Sequence, residues 1–422
     1  MPFVSSFLGV LARSAVVRTK WASVGLLVIA TLLPAATACA DEFRLMPSAS
    51  LKEEYNDNIY LDVRNQTRDF ITTVSPGVEI YDRTERFEGS LLTKLNSLYY
   101  ADSTGLDHVD QYYSGNGSYQ FTPSLLAKGA AGYIVDSRPD RLLLTTGLVL
   151  KATVRHQETG TGSAEYSLGE KSALALSYSF EEDRWNSKTV PNFTGNFAQA
   201  SFTYDISSLL KNTKARATVG YNNYSFAYSS KSIPIESYSG TIGATTALNE
   251  KLTVSVDAGA TRTTSDVTRV QLVPVGPFVL GFLETGTETD WAPTGVATLA
   301  YRGEKTTADL TAGYQVLPAM GSAGTTNRTY ATFSASHRLT YELSGTLSCQ
   351  YFYNKSTQTG IGISQIDSGV FSFSPGLRYE FTRDFFLEGT YTYTRIDNNV
   401  NNTSASRNQF MLRLTLQHRL LE

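Results

Sequence analysis

The chain has 422 residues, of which 41% are hydrophobic and 18% are charged, and its formal net charge is −3. This small negative charge gives no support to nucleic-acid binding, and two cysteines exclude a disulfide-rich scaffold. The chain contains 25 Tyr, 21 Phe and 32 Gly, a composition that favours strands and turns over helices.

Residues 1–40 have the pattern of an export signal that is cleaved after Ala40. An apolar run at 22–33 follows a segment with basic but no acidic residues, and small residues precede Asp41. This run is shorter than the ~18 to 20 apolar residues that a spanning helix needs, so a membrane anchor is the weaker interpretation. Lipid attachment at Cys39 is a minor alternative.

After Asp41, two-faced strands follow one another. Within 171–180, Leu174 and Leu176 alternate with Ala175 and Ser177, so bulky apolar groups share one side of the strand and small groups share the other. The alternation has the period of a strand rather than that of a helix. The same pattern recurs at 214–222, 251–260, 309–316 and 371–381.

About eighteen such segments, each of roughly ten to fifteen residues, are joined alternately by short turns and longer loops. Short turns are predicted at 169–171, 249–251 and 303–305, and longer loops at 101–109, 139–153, 185–193, 228–235, 264–288, 320–326, 356–365 and 398–406. Strands of this length can cross a bilayer, where only a closed sheet pairs every backbone N–H and C=O. We therefore predict that residues 41–422 form an all-β fold: a transmembrane antiparallel up-and-down β-barrel of about 18 strands, with short periplasmic turns and longer extracellular loops.

Aromatic residues concentrate near the ends of these segments, which predicts two belts at the two membrane interfaces. The belt near the short turns includes Tyr166, Tyr301, Tyr341, Tyr379 and Phe381. The belt near the longer loops includes Tyr99, Tyr100, Tyr112, Tyr113, Phe226, Tyr228, Tyr351, Tyr353, Tyr391 and Tyr393.

The small-residue face carries scattered charges of both signs, which predicts a water-filled lumen. Basic and acidic patches on opposed walls could orient polar solutes there, while simple hydration of the interior is the alternative for each residue. The charges predicted to face the lumen are Glu88, Lys94, Lys214, Arg216, Asp257, Asp309, Arg338, Arg378, Glu388 and Arg413.

One predicted loop is apolar, unlike the others. Its sequence from 270 to 283 is VQLVPVGPFVLGFL, which is too short and too rich in proline to span a membrane as a helix. We expect it to fold inward as a constriction or lid, because an apolar loop of this size is unfavourable in water; a partner-docking surface is the alternative. The residues that define it are Val270, Leu272, Pro274, Pro277, Phe278 and Phe282.

The sequence offers no catalytic, cofactor-binding or metal-binding motif, so an enzyme is not expected and no cofactor is predicted. Of the four histidines, only His108 lies in a segment where acid–base or metal chemistry would be plausible, and a solvated loop histidine is the simpler interpretation.

Two segments near the start of the mature chain resemble a known family. Residues 54–60 (EYNDNIY) and 69–77 (DFITTVSPG) are similar to the opening of the putative beta-barrel porin type 2 family, and 177–185 resembles its hairpins. The resemblance implies an outer-membrane barrel without a catalytic set. Proteins of this family are found with bacterial exopolysaccharide and PEP-CTERM-type gene clusters, which implies a role in exopolysaccharide export.

The sequence thus predicts a porin-like channel in the outer membrane of a Gram-negative cell, passing a polar solute or polysaccharide. A general or solute-specific diffusion porin is one alternative, and a plugged scaffold that binds a partner through its loops is another. The expected partners are outer-membrane lipid and periplasmic polysaccharide-export components, and nucleic acid is not among them.

Overall fold

The computed structural model describes residues 42–150, 153–228, 231–275, 278–356 and 365–420. The predicted export signal, residues 1–40 with Cys39, lies outside the described residues.

The described chain forms a single sheet of eighteen antiparallel strands. In chain order they are β1 (Glu42–Asn56), β2 (Asp69–Arg83), β3 (Phe87–Tyr100), β4 (His108–Thr122), β5 (Leu125–Asp136), β6 (Arg155–Ser167), β7 (Ser172–Trp185), β8 (Asn192–Asp205), β9 (Thr213–Tyr228), β10 (Lys231–Ala247), β11 (Leu252–Val275), β12 (Phe278–Arg302), β13 (Thr306–Pro318), β14 (Thr325–Arg338), β15 (Leu343–Ser356), β16 (Asp367–Thr382), β17 (Phe385–Asn398) and β18 (Thr403–Gln417).

The sheet closes on itself because β1 pairs with β2 on one side and with β18 on the other. Each strand pairs with its neighbours in sequence, so the topology is up-and-down and the predicted fold class and strand number are confirmed. Closure leaves no unpaired sheet edge, which is the condition for strands to lie in hydrocarbon. Eighteen strands spaced ~4.8 Å apart and tilted by ~40° enclose a barrel about 35 Å wide between opposite backbones.

The two faces of the sheet differ as the alternation predicts. On β7, Leu176 and Tyr178 are 51% and 50% exposed on the outer face, while Ser177 and Ser179 point to the interior. Large apolar side chains such as Val219, Ile242 and Leu310 are likewise exposed outside. Exposed apolar surface on nearly every strand is stable only against lipid.

We name the two ends of the barrel by their connections. Asn56 of β1 lies at the loop end, where connections such as 57–68 and 137–154 are long, and Glu42 lies at the turn end, where connections such as 84–86 are short. Outward-facing aromatic residues gather near both ends. Tyr119, Phe121, Tyr166, Tyr204, Tyr301, Tyr379 and Phe381 lie near the turn end, and Phe70, Tyr113, Tyr238, Trp291, Tyr351 and Phe410 lie nearer the loop end.

Four residues assigned to the loop-end belt from the sequence face the interior instead. One of them, Tyr228, packs against the interior cluster that contains Phe226 and donates its hydroxyl to the carbonyl oxygen of Ser322 at 3.2 Å. Tyr100 and Phe226 are 3% and 0% exposed, and Phe226 packs with Phe193 in a cluster inside the barrel. Tyr112 pairs with inward-facing Lys94 and lies on the same face. Proximity to a loop locates a residue along the barrel axis, but its position in the alternation decides which face it occupies.

The predicted loop at 264–288 is mostly strand. β11 and β12 pair continuously up to Val275 and Phe278, whereas β10 stops pairing with β11 at Ser265. The pair therefore extends beyond its neighbours as a two-stranded hairpin. The predicted loop at 228–235 is also mostly strand, because β10 already begins at Lys231. β-Branched residues in both segments favour strands over loops.

Within the described ranges, helical structure is confined to two short turns, at Thr104–Leu106 and at α1 (Leu143–Thr146). No helix within the described ranges is long and apolar enough to span a membrane.

Candidate functional site

The connection between β5 and β6 folds into the barrel and crosses its lumen. Its described residues 137–150, which we call the lumen loop, contain α1, and α1 contacts β15. Arg328 on β14 donates a hydrogen bond from Nη2 to the carbonyl oxygen of Leu144 at 2.6 Å. Since β15 lies nine strands from β6, halfway round the barrel, the loop spans the full width of the interior.

Ion pairs attach the lumen loop to the wall at β1 and β18. Arg407 on β18 donates from Nη1 to Oδ2 of Asp140 at 2.8 Å. Arg138 lies between two carboxylates, with Nε 3.4 Å from Oδ1 of Asp140 and Nη2 3.3 Å from Oε1 of Glu54 on β1. Lys52 donates to the other oxygen of Glu54 at 2.7 Å. These charges neutralise one another within a buried interface, where charge-assisted hydrogen bonds are strong.

A second set of contacts fixes the base of the lumen loop. Arg141 donates from Nη1 to Oδ1 of Asp136 at 2.8 Å, and Arg155 donates to the other oxygen of Asp136 at 2.6 Å. The guanidinium of Arg141 also lies 4.8 Å from the ring centroid of Trp185. Two contacts therefore set the direction in which the loop leaves β5: the carboxylate of Asp136, which bridges Arg141 and Arg155, and the ring face of Trp185.

Apolar side chains fill the space that the loop crosses. Leu142 packs with Trp185 and Val190, and Leu143 packs with Leu61 and Val370. These contacts explain why most of the buried residues inside the barrel lie near its loop end.

Glycines allow two close approaches in this region. Gly147 has φ 73°, and a side chain there would meet the hydroxyl of Ser368 on β16. Gly321, in the β13–β14 connection, has φ 79°, and its added Cβ would lie 2.7 Å from Cδ1 of Leu142. Only glycine satisfies both the left-handed backbone and the contact at these positions.

The ionisation of Asp140 follows from its neighbours. Burial alone would raise the pKa of this carboxyl, but Arg138 and Arg407 outweigh burial and hold the pKa well below its ordinary 3.8. At any pH above its ordinary pKa of 3.8, the ionised carboxylate therefore makes its full contribution to the stability of the inserted loop. This contribution is lost only as the pH falls through the lowered pKa.

On the turn side of the lumen loop the interior is hollow and is lined by both polar and apolar groups. One recess of about 490 Å³ lies along β3–β6 and is lined by residues that include Lys94, Asn96 and Tyr112. Another of about 400 Å³ lies along β8–β14 and includes Arg216 and Asp257. The lumen is thus narrowed at one end by a loop and lined by polar and apolar groups beyond it.

The strand register places all ten predicted lumen charges on the face that also carries Lys52 and Arg407. Arg216 donates from Nε to Oδ1 of Asp257 at 3.0 Å. Other contacts of these residues are Arg378–Glu380 at 3.0 Å, Arg378–Glu388 at 3.8 Å, Arg413–Glu388 at 3.7 Å, Asp309–Arg302 at 2.6 Å and Glu88–Tyr81 at 3.1 Å.

The predicted constriction residues lie on the projecting hairpin. Val270, Leu272 and Pro274 belong to β11, and Phe278 and Phe282 belong to β12. Pro277 and the side chains of the other five lie outside the part of the structure that is described, so inward folding of this segment stays a prediction.

The sequence analysis missed the residues that form the observed constriction, notably Arg138, Asp140 and Arg407. It treated 139–153 as an ordinary polar loop. The apolar residues at 142–144 and 148–150 were a usable signal, since they meet the same criterion that singled out 270–283.

His108 does not lie in a solvated loop as interpreted from the sequence. It begins β4, with Nε2 3.1 Å from Oδ1 of Asp110 and Nδ1 2.5 Å from the carbonyl oxygen of Leu106. Among the described residues, no group of three or more His, Cys, Asp or Glu is placed to hold a metal ion.

Comparison with known proteins agrees with this architecture. Residues 283–418 match the family model described as "Putative beta-barrel porin 2". No curated protein matches the sequence.

Similar solved structures include OccAB1 of Acinetobacter baumannii, at 10% identity and TM-score 0.43, with 92% of this chain and 99% of that chain covered. OccK2 (OpdF) of Pseudomonas aeruginosa has 9% identity and TM-score 0.45, over 90% of this chain and 99% of that chain. The ferric-catecholate import receptor Fiu of E. coli K12 has 6% identity and TM-score 0.47, over 90% and 82%.

Proposed function

We propose that this protein is a passive outer-membrane channel for small polar solutes, with its bore restricted by the lumen loop. The observation that carries the proposal is the hollow interior of an 18-stranded barrel beyond that loop, with charged side chains such as Lys94, Arg216 and Asp257 in its recesses. A barrel of this size leaves an aqueous lumen, whereas eight strands leave only enough room for side chains.

The restriction argues for selectivity by size. The lumen loop is attached to the wall at β1 and β18, so solutes would have to pass between the loop and the parts of the wall that it does not contact. Such a passage favours small hydrated molecules that can exchange hydrogen bonds with the wall.

Liposome swelling tests this proposal. Proteoliposomes in iso-osmotic sugars of increasing size should swell in small sugars, progressively more slowly as the sugar grows, and not in large oligosaccharides. Absence of swelling in every sugar, with the folded barrel present in the vesicles, would refute the channel.

A second candidate is a plugged scaffold that binds a partner through its loops. It is favoured by the loop across the lumen and by the β11–β12 hairpin, which extends beyond its neighbours. A folded barrel that passes no solute would favour this function.

A role in exopolysaccharide export would require the lumen loop to leave the lumen, because the restricted bore excludes large oligosaccharides. Its support is the resemblance of residues 54–60 and 69–77 to a family found with exopolysaccharide gene clusters, together with the match of residues 283–418 to the porin 2 family model. Deletion of the gene should then abolish secreted polysaccharide while uptake of small solutes is preserved. Normal secretion after deletion would remove this extension and leave the channel itself intact.

A further inference from the structure

A cavity of about 130 Å³ lies directly against the lumen loop, between it and the wall formed by β1–β4 and β18. Four cations line it: Lys52, Lys94, Arg138 and Arg413. Among the described residues that line it, Asp110 is the one carboxylate, and it already contacts His108 at 3.1 Å. The cavity is therefore strongly basic.

The nearby carboxylates do not balance these cations. Glu54 is shared by Lys52 and Arg138, at 2.7 and 3.3 Å. Asp140 is shared by Arg138 and Arg407, as described above. Glu388 is shared by Arg413 and Arg378, although Arg378 also has a closer partner in Glu380 at 3.0 Å. Each of the three carboxylates thus serves two cations.

Lys94 forms no ion pair with any residue that the structure describes. Its ammonium group lines the cavity, and the backbone position opposite it on β2 is Gly77, which supplies no side chain. An ammonium group in a confined lumen attracts a counter-ion from solution.

The wall of the cavity also contains a buried hydroxyl group that could bind an anion. Thr73 is 4% exposed and lines the cavity, and its hydroxyl has no hydrogen-bond partner among the described residues. Buried hydroxyls are nearly always hydrogen-bonded, so an unpartnered one that faces a basic cavity can donate to an anion there.

The cavity continues into the recess along β3–β6, since Lys94, Asn96 and Tyr112 line both. That recess also presents Leu92 and Ile134, which carry no charge. An occupant therefore has room for an anionic head at the cations and an uncharged body along the recess.

We propose that this cavity binds the carboxylate of a small organic anion during its passage through the barrel, with Lys94 and the hydroxyl of Thr73 as the groups left free for it. A singly charged carboxylate fits better than a doubly charged phosphate, because one cation, Lys94, lacks a counter-charge. This inference rests on the proposed channel and gives that channel a preference for organic anions.

The test compares gluconate with sorbitol, which has the same carbon chain but no charge. Proteoliposomes of the wild type should take up gluconate faster than sorbitol, and planar bilayers under a KCl gradient should show chloride passing more readily than potassium. Lys94→Gln should lower the preference for anions about threefold, the effect of one unit charge a few ångströms from an ion in water. Lys94→Arg should retain the preference.

Lys214→Gln is the matched control. Lys214 also faces the lumen, on β9, halfway round the barrel from β18, and lies outside the cavity. This substitution should leave the gluconate preference unchanged. An equal effect of both substitutions, or no preference in the wild type, would overturn the carboxylate site while leaving the channel in place.

If the folded wild type passes neither solute, the channel proposal fails. A direct measurement of gluconate binding then tests the carboxylate site independently of transport. Calorimetry of the detergent-solubilised protein with gluconate should show binding that Lys94→Gln weakens and Lys214→Gln does not. Absence of binding in that experiment would overturn the site as well.

Discussion

Replacement of residues 138–150 by a short Gly-Ser linker should raise single-channel conductance several-fold. The lumen loop spans the whole interior, from β5 and β6 to α1 against β15, so its removal should open the full cross-section of the barrel. The strands themselves should remain paired, because Asp136 and Arg155 stay in register at the ends of β5 and β6. Planar-bilayer recordings of the refolded protein measure the change.

A deletion in the projecting hairpin provides the comparison. The apolar sequence at 270–283 predicts a constriction or lid, so deletion of residues 268–284 should raise conductance if that segment folds inward. The observed contacts place the main obstruction in the lumen loop, and the linker variant should therefore give the larger increase. An increase only after hairpin deletion would contradict this assignment.

Asp140→Asn should release the lumen loop without deleting it. The substitution leaves Arg407, which is 4% exposed, facing an uncharged amide, and Arg138 loses one of its two carboxylates. Removal of one member of a buried ion pair typically costs about 3 to 5 kcal/mol, because a charge is left buried without its partner. We expect conductance close to that of the linker variant, with frequent transitions between a closed and an open level.

The control is Asp397→Asn, which removes an Asp–Arg pair at the loop end on the outside of the barrel. Asp397 contacts Arg395 at 3.0 Å, but about half of each side chain is exposed. Such pairs contribute ~0 to 1 kcal/mol, so conductance should not change. Equal conductance for the wild type and Asp140→Asn would show that the ion pairs do not hold the loop.

The pH dependence of the wild type follows from the same carboxylate. The lowered pKa of Asp140 keeps it ionised below its ordinary 3.8, so the loop should stay inserted when the pH falls from neutral to about 4. Opening should begin only in stronger acid, as the carboxyl takes up its proton.

The barrel could be predicted from sequence because one rule, the alternation of side chains, holds in almost every strand. The same rule placed Lys94 and Arg413 on the inner face, since a face is fixed by residue parity alone. The loop at 57–68 was not distinguished from strand, although its residues 62–68 include three charges and no long apolar run.

The lumen loop could not be placed in the same way. Its contacts join residues far apart in sequence, as between Asp140 and Arg407 or between Arg138 and Glu54, and no periodicity connects them. Arg407 and Glu54 occupy ordinary inward positions on their strands, and their role depends on which loop enters the barrel. Loop insertion is decided by packing and charge pairing in three dimensions, which local patterns do not encode.

The central claim is that the outer face of the sheet contacts lipid while the inner face surrounds water. Single cysteines along β7, in a Cys349→Ser background and reconstituted into liposomes, test it most directly with a membrane-impermeant maleimide. We predict that cysteines at Ala175, Ser177 and Ser179 react, while those at Leu174, Leu176 and Tyr178 are protected. Uniform labelling along the strand, or labelling of the bulky positions alone, would contradict the account.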